Sequence, residues 1–394
     1  MKRLRMLLVL AGCSAFSCLV GCGGGSHSTT PNVITTTGNN VAAITVNSGP
    51  PGNGGYINGG FTSVTVCTSG TSTCQTIDGI LVDTGSSGLR ILSSLLTVAL
   101  TQEKAPDSNN VFECLPFLSG YTWGPVETAD VQIAGEKASS VAIQAIGTTT
   151  PVPIACSDFG TASDTLQTLG ANGLLGVGLF AQDCGSGCPT SIYYECPAAG
   201  CFGVAASLAE QVVNPVAFFS TDNNGVIVEL PAVSGGEASV SGSLVFGIGT
   251  QSNNGLGGAK VYTSDDFGNF TTSYKGASYS GSFIDSGSNG FYFLDGSTTG
   301  ITLCGDIAGF YCPSNTVSVT ATNQGVNGTS DAVTFNVGNT DSLFAMQSDF
   351  VYGDLGGEFS GAFDWGLPFF YGKNVFVAIQ GASTPGGAGP YWAF

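Results

Sequence analysis

Short runs of alternating apolar and polar residues, punctuated by Gly, Asn and Ser, recur along almost the whole chain. Val41-Ala42-Ala43-Ile44-Thr45-Val46 and Phe61-Thr62-Ser63-Val64-Thr65-Val66 carry this period of two, and 77–82 is a more continuous apolar run. A period of two sends successive side chains to opposite faces of an extended backbone, so these segments predict β-strands. The same reading covers 131–133, 141–146, 216–219, 226–230 and 244–248, then 279–284, 317–320, 332–337 and 375–379. Helical periodicity is scarce, and 93–100, 204–213 and 341–346 are its best candidates. The pattern predicts a mostly β protein with few short helices. The Asp222-Asn223-Asn224-Gly225 stretch reads as a hairpin turn that tolerates positive φ, not as a calcium loop.

Composition narrows this picture. Of 394 residues 60 are Gly, without a strict period, which fits many tight turns and excludes a collagen. Hydrophobic residues make up 42% and charged ones only 9%, so the chain has material for a large core and is not a disordered polymer.

The first residues stand apart. Lys2, Arg3 and Arg5 precede an apolar run that ends Leu19-Val20-Gly21-Cys22, followed by Gly23-Gly24-Gly25. This resembles a bacterial lipoprotein leader, cleaved before a Cys that becomes lipidated; a plain secretory leader is the competing reading. The leader is then 1–21, with Cys22 the lipidation site and 22–40 a Gly/Ser/Thr/Asn tether. Gly23, in place of the Asp associated with inner-membrane retention, points to the outer membrane of a bacterial envelope, facing the periplasm or outward. Loss of the leader leaves six of nine basic residues against 27 acidic ones, which argues against nucleic acid or an anionic membrane surface as partner.

Ten of the 13 cysteines lie beyond Cys22, an even number that suits an exported, disulfide-bonded chain. Cys67–Cys74 and Cys304–Cys312 read as local staples and Cys114–Cys156 as a longer clamp. Cys184, Cys188, Cys196 and Cys201 form one cross-linked insertion of open pairing. No metal site is expected, since oxidised cysteines cannot ligate and the only His is His27, in the tether.

The candidate chemistry lies in two matching segments, Ile80-Leu81-Val82-Asp83-Thr84-Gly85-Ser86 and Ser282-Phe283-Ile284-Asp285-Ser286-Gly287-Ser288. Each is an apolar run, then Asp, a hydroxyl residue, Gly and Ser. Each is followed by a bulky apolar segment closed by Gly: Gly173-Leu174-Leu175-Gly176-Val177-Gly178 and Phe363-Asp364-Trp365-Gly366. That order, repeated once, is what a duplication leaves. Two carboxyls forced together share a proton and act as acid and base at once.

These segments resemble the pepsin-like aspartic peptidases, over roughly residues 41–380. The resemblance implies a bilobal pepsin-like acid protease fold with pseudo-two-fold symmetry, with lobes 41–205 and 206–394. It implies Asp83 and Asp285 as the catalytic pair, supported by Thr84, Gly85, Ser86, Ser286, Gly287 and Ser288. It also implies a β-hairpin flap over the cleft. Anchoring on Val131-Gln132-Ile133-Ala134-Gly135 puts Phe117-Leu118-Ser119-Gly120 at its tip. Phe117 then stands where the family has a tyrosine, Tyr121 and Trp123 are the other flap candidates, and Arg90 replaces the tryptophan that usually bonds that tyrosine.

The expected function is aspartic-type endopeptidase on a peptide or protein substrate. No cofactor is implied, and a monomer is, since two fused lobes remove the need to dimerise. The alternative is a catalytically weak relative that binds a peptide or polysaccharide in the same cleft. A third reading is an envelope structural protein. A paired-carboxylate glycosidase would need separated acids. Trp123, Trp365 and Trp392 read first as packing residues.

Overall fold

From Val41 onward the alternation in sequence becomes alternation in burial. The Val41–Asn47 strand buries Ala42, Ile44 and Val46, pairing with Gly59–Thr68 on one side and Val240–Phe246 on the other. It therefore joins the two halves of the chain in one sheet. The structure is a computed structural model and describes residues 33–394. The leader, Cys22 and the tether as far as residue 32 lie outside the described residues. Of the remaining tether, Thr35 donates its N–H to Glu229, and Ser243 Oγ donates to Thr35 O.

Beyond Val240–Phe246 the sheet continues through Gly225–Leu230, Lys373–Ala378, Tyr391–Ala393 and Val261–Thr263, forming a platform shared by two lobes. In the other direction it runs through Gly59–Thr68, Cys74–Asp83, Gly173–Val177, Ser87–Leu92, Glu136–Ile146 and Gly120–Ile133. Gly59–Thr68 also pairs with Gly120–Ile133, which closes this first lobe barrel-like. The second lobe is a seven-stranded sheet centred on Phe270–Tyr274, Ala277–Ile284 and Phe359–Trp365.

The two lobes repeat one unusual threading. Cys74–Asp83 runs parallel to Gly173–Val177, with Asp83 opposite Gly176, and Gly173–Val177 then pairs antiparallel with Ser87–Leu92. In the second lobe Ala277–Ile284 runs parallel to Phe359–Trp365, with Ile284 opposite Trp365, and Phe291–Leu294 takes the antiparallel side. A later strand is thus inserted beside each Asp turn. The inserted Gly cannot be replaced: a Cβ on Gly176 would meet the Ser87 backbone at 2.7 Å, and one on Gly366 would meet Gly290 O at 2.1 Å.

The main core runs from Ile44, Val82 and Leu175 to an aromatic cluster in the second lobe. Trp365, 1% exposed, stacks on Phe363 at 5.5 Å and meets Phe291, Phe335 and Phe369. Trp392 is likewise buried and donates to Gly268 O.

Local sequence misled in three places. The 216–219 run is not a strand but the 3-10 turn Pro215–Phe218. Pro215 at its start and the Asn214 side chain, which accepts from Val216 N, favour a turn over an extended backbone. No helix forms over 204–213. Phe202–Val204 pairs with Tyr193–Glu195, and Gln211 donates to Gly185 O and Ala206 O, so tertiary pairing overrides a short run of helix formers. Of 93–100 only Ser93–Leu95 is helical, while the third candidate forms Thr340–Phe344 with Asn339 as cap. The disulfides are Cys67–Cys74, Cys114–Cys156, Cys184–Cys188, Cys196–Cys201 and Cys304–Cys312, which resolves the pairing in the insertion.

Trp365→Ala is expected to cost about 3–5 kcal/mol, because it empties a site enclosed by four aromatic rings. Urea unfolding followed by tryptophan-independent circular dichroism measures it.

Candidate active site

Each Asp sits where a strand ends against its threaded neighbour, so the turn that follows is fixed on both sides. In the first turn Gly85 N donates to Asp83 Oδ1 at 2.8 Å, and Ser86 Oγ donates to Asp83 Oδ2. In the second, Gly287 N donates to Asp285 Oδ1 at 2.7 Å, and Ser288 Oγ lies 2.8 Å from Asp285 Oδ2. The carboxyls are hydrogen-bonding neighbours of one another. A Cβ on Gly85 would stand 2.6 Å from Asp285 Cγ and 2.7 Å from its Oδ1, and one on Gly287 would stand 2.8 Å from Asp83 Oδ1. The Oδ1 atoms therefore face the opposite turn, and only Gly leaves room for this approach.

Thr84 and Ser286 tie the turns together. Thr84 N donates to Ser286 Oγ at 3.1 Å and Ser286 N donates to Thr84 Oγ1 at 2.9 Å. Each hydroxyl then donates back across the interface, Thr84 to Ile284 O and Ser286 to Val82 O. All four bonds cross between the lobes and both side chains are buried. Asp83 is buried, Asp285 is half-buried, and Gly85 between them is exposed, so the pair opens to solvent on one side. Burial, then the charges of Asp83 and Asp364, push the Asp285 carboxyl well above the usual carboxylate range.

The flap candidates separate. Val111–Phe117 and Gly120–Ile133 form a hairpin whose tip carries exposed Leu118. Phe117 packs beside Tyr56, Phe61, Leu81 and Leu174. Tyr121 and Trp123 instead face a cluster with Phe112, Cys114, Cys156 and Tyr194, where Trp123 stacks on Phe112 and donates to Thr150 O. The tyrosine that reaches the dyad is Tyr56, whose hydroxyl lies 3.5 Å from Gly287 O. Burial, and then Asp285 and Asp83, raise its pKa. Its only signal in sequence is an aromatic residue in a Gly-rich loop. Two residues on, Asn58 reaches into the second lobe, with its amide donating to Asn289 O and Tyr352 O and its carbonyl accepting from Tyr352 N and Tyr371 OH. It adopts φ 52°, a conformation Asn tolerates better than most residues.

Arg90 donates to carboxylates and a backbone carbonyl rather than to a flap tyrosine. Fully buried, it donates to Glu113 through Nε at 3.1 Å and Nη2 at 2.5 Å, to Asp183 Oδ2 at 3.0 Å and to Ser87 O at 2.9 Å. Tyr193 OH completes the network on Asp183. Burial, then Glu113, raises the Asp183 carboxyl well above its ordinary range despite Arg90. Glu113 lies on the outer flap strand, which also pairs with Tyr193–Glu195 and carries the Cys114–Cys156 bridge. The flap base is thus built into a sheet and bonded to the strand after the first Asp turn. A separate cavity of about 360 Å³, lined in part by Val333, Phe369 and Lys373, contains none of the dyad residues.

Among solved structures, the aspartic proteinase from Irpex lacteus matches 90% of this chain and 96% of its own, at a TM-score of 0.54 and 14% identity. The fold is therefore the two-lobed pepsin-like one. The chain belongs to the family described as Protein of unknown function (DUF3443), whose model matches residues 36–394. No curated protein matches it in sequence.

Arg90→Leu is expected to destabilise the protein by about 3–5 kcal/mol at neutral pH, because Glu113 and Asp183 stay buried without their counter-ion. The loss should shrink as pH falls below neutral, because the Asp183 carboxyl, already raised by burial and Glu113, gains a proton more readily once Arg90 is gone. Arg90→Lys should not restore the wild-type value, since one ammonium cannot reproduce the fork. Urea titrations at neutral and lower pH measure all three.

Proposed function

We infer that this chain is an aspartic endopeptidase, exported and displayed on the bacterial envelope through a lipidated Cys22. One observation carries the catalytic part: two Asp side chains, from turns of identical local design, are held in hydrogen-bonding contact at a solvent-open seam between lobes. Carboxyls in contact share a proton, whereas a paired-acid glycosidase needs them roughly 5 Å or more apart to flank a sugar ring.

The chemistry follows from that sharing. Asp285 holds the common proton, in keeping with its raised pKa, and Asp83 is the base. Asp83 takes a proton from a water as the water oxygen attacks the peptide carbonyl carbon. Asp285 gives its proton to the developing oxyanion. The tetrahedral intermediate collapses as the proton now on Asp83 passes to the leaving nitrogen, the C–N bond breaks, and one diol hydroxyl returns its proton to Asp285, which restores the pair. The turn amides and the Ser86 and Ser288 hydroxyls hold both carboxyls oriented throughout, which lowers the reorganisation needed in the transition state. Neither a covalent intermediate nor a cofactor enters this scheme. Exposed Leu118 and half-buried Phe117 and Tyr56 line the approach with apolar surface, which supports preference for hydrophobic residues around the cut.

The test is cleavage of a mixed peptide library between about pH 3 and 7 by the leader-free protein. Asp83→Asn and Asp285→Asn should each abolish cleavage, and a statine-type transition-state mimic should block it. Gly85→Ala should lower kcat by about a hundredfold or more, because its Cβ displaces the Asp285 carboxyl. A folded wild type that cuts nothing across this range overturns the peptidase reading and leaves a peptide- or polysaccharide-binding cleft.

A further inference from the structure

The two lobes share their threading but differ at one buried position beside the dyad. In the first lobe Leu81 pairs with Leu174, and Leu174 packs among Phe61, Leu81 and Ala171. At the same register in the second lobe Phe283 pairs with Asp364. The fold asks for an apolar side chain there and this sequence supplies a carboxyl that is 1% exposed. Its Oδ2 lies 2.7 Å from Ser288 Oγ, and its Oδ1 is buried without a hydrogen-bond partner among the described residues.

Ser288 Oγ sits between Asp285 Oδ2 at 2.8 Å and Asp364 Oδ2 at 2.7 Å, yet a hydroxyl has one proton. The Oδ1 atoms of the pair face the opposite turn, so a proton shared between Asp83 and Asp285 would sit there, leaving Asp285 Oδ2 to accept the Ser288 proton. The Ser288–Asp364 bond then needs its proton from Asp364. Facing Asp364 are Asp285 and Asp83 from the two turns and Tyr292 from the adjacent strand, with Tyr56 beyond; all are acids and none offers a counter-charge.

We propose that Asp364 is a protonated third carboxyl that donates to Ser288, and through it orients Asp285 for catalysis. Asp364 is a positioning residue, since it touches the dyad only through Ser288. When it ionises, a negative charge appears behind Asp285 and the Ser288 proton is contested, so cleavage declines. Burial raises its carboxyl to about 8, which places that decline at mildly alkaline pH. This deepens the peptidase reading and rests on it.

Two measurements on wild type and Asp364→Asn separate the two ideas. The first is thermal stability against pH, which needs no activity. An unfolded Asp ionises near pH 4, whereas folded Asp364 keeps its proton to about 8. Wild type therefore loses stability from this group as pH rises through that window, and Asp364→Asn, which cannot ionise, does not. The stability of the variant relative to wild type should rise steadily between those limits. Asp364→Leu, which restores the first-lobe residue, should show the same pH trend if the Asn variant folds poorly. The second is the alkaline limb of kcat/KM, expected to move upward by about one pH unit in Asp364→Asn. A pH-independent stability gap, or an unmoved limb in an active enzyme, overturns the proposal. A rising gap in a protein that cuts no peptide overturns the peptidase reading and sustains the proton on Asp364.

Discussion

Four hydrogen bonds between Thr84 and Ser286, their amides, and the carbonyls of Val82 and Ile284 hold the two lobes at one separation. Everything else at the seam depends on them. The bonds are reciprocal, so each hydroxyl both accepts and donates, and neither has a proton left to give elsewhere. In a buried setting the loss of one partner would orphan the other, at a cost larger than the bond itself contributes. The carboxyl contact is thus set by backbone and short side chains, not by long flexible ones.

Around that clasp the threading does the rest. A strand inserted beside each Asp turn removes the freedom a surface turn would have, and it demands Gly176 and Gly366 where backbones cross. The same local design in both lobes gives each carboxyl an amide donor on Oδ1 and a Ser hydroxyl on Oδ2. Asn58 adds a second fastening, reaching from the first lobe to the loop that follows Ser288.

The lobes depart from symmetry where polar groups are buried, and both departures bear on the dyad. In the first lobe Arg90, Glu113 and Asp183 place one positive and two acidic groups in the core, joining the flap base to the strand beyond Asp83. The network bonds the base of a hairpin whose tip carries no tyrosine. In the second lobe Asp364 stands where Leu174 stands in the first, and among the described residues its hydrogen bond leads through Ser288 to Asp285. A buried carboxyl without a counter-charge holds its proton, so the second lobe carries an extra acid directly behind the dyad.

By itself the sequence determined the strand-rich class, the duplication, and the pair of Asp turns, because period-two patterning and an Asp-hydroxyl-Gly-Ser turn are local properties. It determined three of the disulfides for a similar reason, since those cysteines flank short loops or one clear excursion. It misread 216–219 as a strand and 204–213 as a helix, because a Pro start and a neighbouring strand outweighed apolar and helix-forming residues there. Tertiary structure alone decided that Tyr56 rather than Tyr121 or Trp123 reaches the dyad, that Arg90 finds Glu113 and Asp183, and that Asp364 bonds Ser288. Those contacts join residues far apart in the chain. A lone Tyr, Arg or Asp has no periodicity to announce its partner, and only the threading of strands through the two lobes brings each to its place.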